Sequence, residues 1–240
     1  MKSKSILYSL ILLVCTYTAK AQPLLDRGYN FLLAVNSNGN DVGQSHYQVG
    51  NYMVKGNPYL FQSTIKVEFF QKGNSYRSNK ATFNTYLQEL EHNDEATKNV
   101  IAFDVTLLDS FYVNPIVDNN KTVNIGTKFI NATYLETSKK FFVEELVKTD
   151  KIAIYKQHSC TLAGYGSGIQ ANAGNNPYRE FKQESVYYYY TPTEKKLTKF
   201  TFKESKLTSI IGKYYDVSAG ITPTNDQSLE SALKDFMRGK

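Results

Sequence analysis

The chain has 240 residues, of which 41% are hydrophobic and 14% aromatic, enough apolar material for a packed core and too much for a wholly disordered chain. Its 28 Lys and Arg against 22 Asp and Glu give a formal net charge of +6, and two cysteines exclude a disulfide-rich scaffold. Nineteen Tyr and fourteen Phe, with no Trp, favour strands, because aromatic side chains fill the half-buried face of a pleated sheet.

Residues 1–21 read as an export signal. Lys2 and Lys4 open it, Ile6 to Val14 form a nine-residue apolar run, and Ala19-Lys20-Ala21 puts small residues where a signal peptidase reads. Cleavage is expected before Gln22. The apolar run is well short of the roughly 20 residues a membrane-spanning helix needs, so a spanning protein is not expected. Cys15 closes the run as a lipidated cysteine would, but Val14 is larger than the residue normally found before one, so lipidation is not expected either. The expected location is the periplasm, the outer envelope or the extracellular space. Cleavage removes three of the 28 basic residues and no acid, which halves the net charge of +6 to +3. It also removes Cys15 and leaves Cys160 alone, so no internal disulfide is expected and the core must supply the stability.

Apolar stretches from Tyr29 to Phe70 alternate with Asn and Gly. Asn38-Gly39 between FLLAV and HYQV signals a hairpin, since the favoured two-residue turn needs positive φ at both positions. Gly56-Asn57-Pro58 marks a turn, and Tyr59 to Phe70 then alternates Tyr59, Phe61, Ile65, Val67 and Phe69 with mostly polar residues, a half-buried strand. Residues 83–91 (FNTYLQELE) fit a helical stripe through Phe83, Tyr86, Leu87 and Leu90 and also a strand face through Phe83, Thr85 and Leu87; pattern alone favours helix. Val100 to Val113, Lys128 to Leu135, Lys140 to Val147 and Lys151 to Gln157 are short apolar runs at regular spacing, an antiparallel meander. Gly164 to Asn176 is a loop too rich in small residues to pack. Glu184 to Tyr190 and Lys196 to Lys203 are strands around a Thr191-Pro192 turn. In the tail, Ser205 is the expected cap of a short helix to Gly212, and Asp226 or Ser228 that of a helix bearing Leu229, Leu233, Phe236 and Met237 on one face and stopped by Gly239.

The ordered set GNPYL, EFFQKG, FNTYLQELE, KFFVEELVKTDKIAIYK, the loop GYGSGIQANAG, the tyrosine strand before a KKL hairpin, and a closing helix pair resembles a large group of exported proteins of unknown function common in Bacteroidetes genomes. The resemblance covers nearly all of the mature chain and departs from the group at the long small-residue loop and at YYDVSAGITPTN. It implies that residues 83–91 are a strand, which replaces the helical reading, and it carries no catalytic motif onto this chain. The resulting expectation is a mainly β to α+β fold: an antiparallel meander over 22–203, as a curved sheet or partly open barrel, with two short helices over 204–240 packed on it.

Several side-chain sets invite chemistry. His158 and Cys160, two apart after an apolar strand, share a face about 6 to 7 Å apart and form the minimum for a thiolate nucleophile, though no third group or oxyanion site accompanies them. Glu89 and Glu91 have the spacing of paired glycosidase acids, but on a strand are expected to form a solvated face. Asn36 to Gly43 has calcium-loop oxygens with only Asp41 as a carboxylate, so a hairpin turn is expected there. His46 and His92 have no metal-ligand spacing and read as surface residues. Around Gly164-Tyr165-Gly166-Ser167-Gly168 the central residue of a nucleophile elbow would be Gly166, and no Gly-Lys-Ser/Thr follows for a phosphate loop. Lys195, Lys196, Lys199, Lys203 and Lys206 interleave with Phe200 and Phe202, but lysines and rings point opposite ways on a strand, so nucleic acid is not an expected partner.

The sequence therefore points to an exported, non-catalytic envelope or periplasmic protein without cofactor or metal, whose partner is an envelope protein, a glycan or a lipid. A face built from Tyr187, Tyr188, Tyr189 and Tyr190 is the candidate ligand contact. The alternatives are a secreted hydrolase using Glu89/Glu91 or His158/Cys160, and a carbohydrate- or lipid-binding module.

Overall fold

The computed structural model describes residues 46–49, 52–94, 99–118, 121–124, 126–164, 178–218, 220–223 and 227–239. The export signal, the Asn38-Gly39 hairpin, the Asn36 to Gly43 loop, Asp226 and all but the first residue of the Gly164 to Asn176 loop lie outside the described residues.

The strands are β1 (His46–Val49), β2 (Tyr52–Lys55), β3 (Ile65–Gln71), β4 (Asn74–Asn84), β5 (Glu89–Asp94), β6 (Asn99–Phe103), β7 (Ser110–Val113), β8 (Ile116–Asp118), β9 (Lys121–Asn124), β10 (Thr127–Asn131), β11 (Phe142–Lys148), β12 (Ala153–Gly164), β13 (Tyr178–Tyr190) and β14 (Leu197–Phe200). Two helices follow, α1 (Glu204–Ile211) and α2 (Leu229–Arg238). Twelve strands form one open sheet in the order β1-β2-β13-β12-β11-β10-β7-β3-β4-β5-β6, with β14 also on β13; β8 and β9 pair separately. All pairs in the large sheet are antiparallel except β2 with β13. The expected mainly antiparallel, unclosed sheet with two C-terminal helices is the observed architecture.

Local chemistry sets the turns. Lys72 and Gly73 link β3 to β4 with φ of 49° and 81°, the two positive values that a tight hairpin of matching twist requires. Residues 83–91 are neither a helix nor one strand. β4 runs to Asn84, whose Oδ1 accepts from the backbone N–H groups of Tyr86 and Leu87, each at 3.1 Å; this side-chain turn stops the strand, Gln88 reverses the chain at φ 58°, and β5 starts at Glu89. The strand expected from Tyr59 begins only at Ile65. Gly56 turns the chain at φ 76°, and Pro58 to Leu60 then cross to the tip of β4, where Tyr59 bridges Asn84.

That same β4–β5 tip curls the sheet. Gln88 Nε2 donates to the His158 carbonyl at 2.8 Å, its Oε1 accepts from Phe142 N–H at 3.1 Å, and Cys160 N–H donates to the Thr85 carbonyl at 3.3 Å. Three strands, β10, β7 and β3, lie between β11 and β4 in the ladder, yet Phe83 and Phe142 meet with ring centroids 6.0 Å apart. Phe83, Phe111, Phe129 and Phe142 are each at most 1% exposed and fill the inside of the curl.

The inner face carries a second apolar cluster further along. Leu146, Ile152 and Ile154 pack there against Leu207, Ile210 and Ile211 of α1 and Leu233 and Met237 of α2. The outer face has its own cluster, Val143, Ala153, Tyr155, Tyr188 and Leu197, with Ala132 and Phe141 over it. The helices form where expected. α2 is capped by Ser228, whose Oγ accepts from Ser231 N–H at 3.1 Å, and ends at Gly239. α1 differs: its cap position is Lys203, with no side-chain cap bond, and Ser205 sits inside the first turn.

Candidate functional site

The inner face of β12 presents Ile154, Lys156, His158 and Cys160 in alternation, and the ladder sets Glu144 of β11 and Tyr187 of β13 on either side of Lys156. Between the aromatic core and the helix cluster this makes a polar belt. His158 Nε2 lies 2.6 Å from Glu144 Oε2, with both side chains less than 15% exposed. Lys156 Nζ lies 2.6 Å from Glu230 Oε1 of α2, and Tyr187 OH donates to the same oxygen at 2.7 Å. Burial alone would raise the Glu230 carboxyl, but the bonds from Lys156 and Tyr187 and the charges of Lys156 and Lys234 outweigh it and hold the group below its ordinary value. The Tyr187 hydroxyl is pushed up, first by burial and then by that bond to Glu230.

His158 and Cys160 share a face as their spacing predicts, but the imidazole nitrogen that forms a bond is tied to Glu144. Cys160 is 6% exposed and packs with Phe181 and Leu162. Burial, with a smaller contribution from Glu184, pushes its thiol up to about 11, so at neutral pH it is a protonated thiol and a poor nucleophile.

The face of β5 expected to be solvated is buried: Glu89 and Glu91 are each 2% exposed. Pro58 to Leu60, crossing to the hairpin tip, bring Tyr59 over this face. Its OH donates to Glu91 Oε2 at 3.1 Å, and Asn84 Nδ2 donates to Oε1 at 2.8 Å. Desolvation dominates, and despite these bonds the Glu91 carboxyl is raised, with Glu89 adding to the rise. His92, expected at the surface, is half-buried with Nδ1 2.7 Å from Ser78 Oγ. The His46 side chain is outside the described residues.

The tyrosine strand has both faces covered. Tyr187 stacks on Phe202 with centroids 4.1 Å apart, and Tyr189 packs against Phe200 in the helix cluster. Tyr188 is 8% exposed, donates to Gln157 Oε1 at 3.0 Å and stacks on Phe141, while Tyr190 joins the outer cluster. These rings build the core on both sides of β13 instead of forming one open tyrosine face. The lysines around β14 are exposed and flank a strand that, among the described residues, pairs in the sheet with β13 alone.

Two surface features were not singled out from the sequence. One is the outer edge of β6, which among the described residues pairs only with β5. The other is a groove between the end of β11 and α2, lined by Leu146, Lys148, Thr149, Lys234, Met237 and Arg238. The Lys234/Arg238 spacing on a helix is legible in the sequence; its meeting with Lys148 is not. Among the described residues no three His, Cys, Asp or Glu side chains gather as a metal site, and no helix is long and apolar enough to cross a membrane. Comparison with known proteins finds no matching family model, no matching curated protein and no matching solved structure.

Proposed function

We propose that this chain is an exported, non-catalytic interaction protein of the cell envelope, and that it engages its partner by strand addition at the β6 edge. The observation that carries this reading is a contrast between two edges of one sheet. β14 is bracketed by exposed Lys195, Lys196, Lys199 and Lys203, charges of the kind that stop other strands from docking. β6 reads Asn99-Val100-Ile101-Ala102-Phe103, with no charge, proline or glycine, and its residues 100–103 are half-buried. A neutral apolar edge offers backbone donors and acceptors to an extended segment, and alternate side chains on that segment find an apolar neighbour in the half-buried Phe103, whose ring packs on that of Phe69 in the core at 5.1 Å. The engagement of Glu91, His158 and Glu230 in internal bonds, and the protonated state of Cys160, support a non-catalytic role over a hydrolase.

The test is a photo-reactive residue at Ile101, with Lys199 as the matched control, irradiated in the native envelope. Capture at 101 and not at 199, abolished by an adjacent Ala102→Lys change, supports the reading; equal capture at both positions removes it. Export is tested separately by mass spectrometry of the mature N-terminus, where a Gln22 start is expected.

A further inference from the structure

The residue pattern of β6 is complementary to itself. Among the described residues the strand pairs with β5 alone, from Asp94↔Asn99 to Leu90↔Phe103, so the outward half of its backbone donors and acceptors faces away from the sheet. Side chains alternate, which places Ile101 and Phe103 on one face and Val100 and Ala102 on the other, all four half-buried. Directly opposite residues of an antiparallel pair share a face, and a two-fold axis fixes the partner of every position once the centre is chosen. Centred on Ile101, β6 against a second β6 sets Ile101 opposite Ile101, Val100 opposite Ala102 and Phe103 opposite Asn99. In the sequence Lys98 precedes the strand and Asp104 follows it, so the same register sets opposite charges against each other at both ends. Other centres lose this match. Centring on Val100 sets Lys98 opposite Ala102, and centring on Ala102 sets Asp104 opposite Val100.

We propose that the segment docked at the β6 edge is β6 of a second copy of this chain, paired antiparallel about Ile101 so that one sheet continues across a two-fold dimer. This rests on the docking reading of that edge and names its partner. The apolar centre brings no like charges together. The terminal pairs set direction as well as register, since an in-register parallel pairing would put lysine beside lysine and aspartate beside aspartate. Five residues a side is far below a standard protein interface, so the dimer is a weak and reversible one.

Sedimentation equilibrium of the purified full chain over roughly micromolar to millimolar concentrations is expected to show monomer and dimer in exchange. Asp104→Lys sets lysine against lysine at both ends, and Lys98→Asp sets aspartate against aspartate; each should weaken the dimer at least about ten-fold. An equimolar mixture of the two variants restores the opposite pairs and should associate as the parent does, which also shows that both variants fold. Lys199→Glu should leave the dimer unaltered. A photo-reactive residue at Ile101 should link one copy to another and double the mass. Capture of a different envelope protein at Ile101 by a chain that stays monomeric overturns self-pairing and leaves edge docking intact, whereas no capture there removes both. A dimer untouched by the charge variants and by Ala102→Lys uses another surface and overturns the proposal. So does a mixture that fails to recover although both variants melt as the parent does.

Discussion

His158 Nε2 and Glu144 Oε2 lie 2.6 Å apart on neighbouring strands, in the polar belt that divides the aromatic core from the helix cluster. The bond fixes the imidazole over the Phe129 ring, whose centroid is 6.0 Å away, and gives the buried carboxylate a donor. His158→Ala removes that donor and leaves Glu144 in place at 9% exposure. A loss of about 1.5–3 kcal/mol is expected in urea unfolding, with Glu144→Gln/His158→Ala together costing less than the sum of the single changes. Additive costs would mean the contact contributes nothing.

The Lys156–Glu230–Tyr187 clasp should control the docking of α2. Because the Glu230 carboxyl is held below its ordinary value in the folded chain, its contribution is present above the unfolded value and fades as pH falls through the lowered folded one. Glu230→Gln should therefore cost about 1–2 kcal/mol at pH 7 and progressively less in acid. Amides of α2 should exchange faster in the variant at pH 7, whereas those of β7 and β10 keep their protection.

Glu91 has the opposite sign. Its carboxyl is raised by burial, so keeping it ionised opposes folding above the ordinary carboxylate range, and stability returns as pH drops through the raised value. Glu91→Gln keeps an acceptor for Asn84 and offers Tyr59 an amide to accept from. Its denaturation midpoint should exceed that of the parent at pH 7, and the advantage should vanish near pH 4. Tyr59→Phe, which removes a donor, should lower the unfolding free energy by about 0.5–1.5 kcal/mol.

Cys160 should behave as an inert core thiol. With its thiol pushed up to about 11, only about one molecule in a thousand is a thiolate at pH 8. Iodoacetamide should label it slowly in the folded chain and rapidly in urea. Fast native labelling would contradict the burial and reopen a nucleophilic role.

What the sequence reveals depends on the range of the interaction concerned. Alternation over Ile65, Val67 and Phe69 and the Ser228 cap are local signals, and both are borne out. The β4–β5 hairpin hides in FNTYLQELE because its turn contains neither Gly nor Pro; Asn84 supplies it through side-chain bonds, and Gln88 takes the positive φ. The burial of Glu91 involves Tyr59, some thirty residues earlier, so no window around the acid reports it. Tyr187 to Tyr190 read in sequence as a ligand face, whereas the outer cluster and the helix cluster cover the two sides of the strand. The belt is likewise invisible in one dimension, since Lys156 and Glu230 stand 74 residues apart.

Hydrogen–deuterium exchange of the β6 amides with the captured partner bound decides whether β6 is a docking edge. Among residues 99–103, slowed exchange is expected at alternate amides, those facing outward from β5, with no change across β14. Unchanged exchange throughout β6 while protection appears elsewhere on the chain would contradict it.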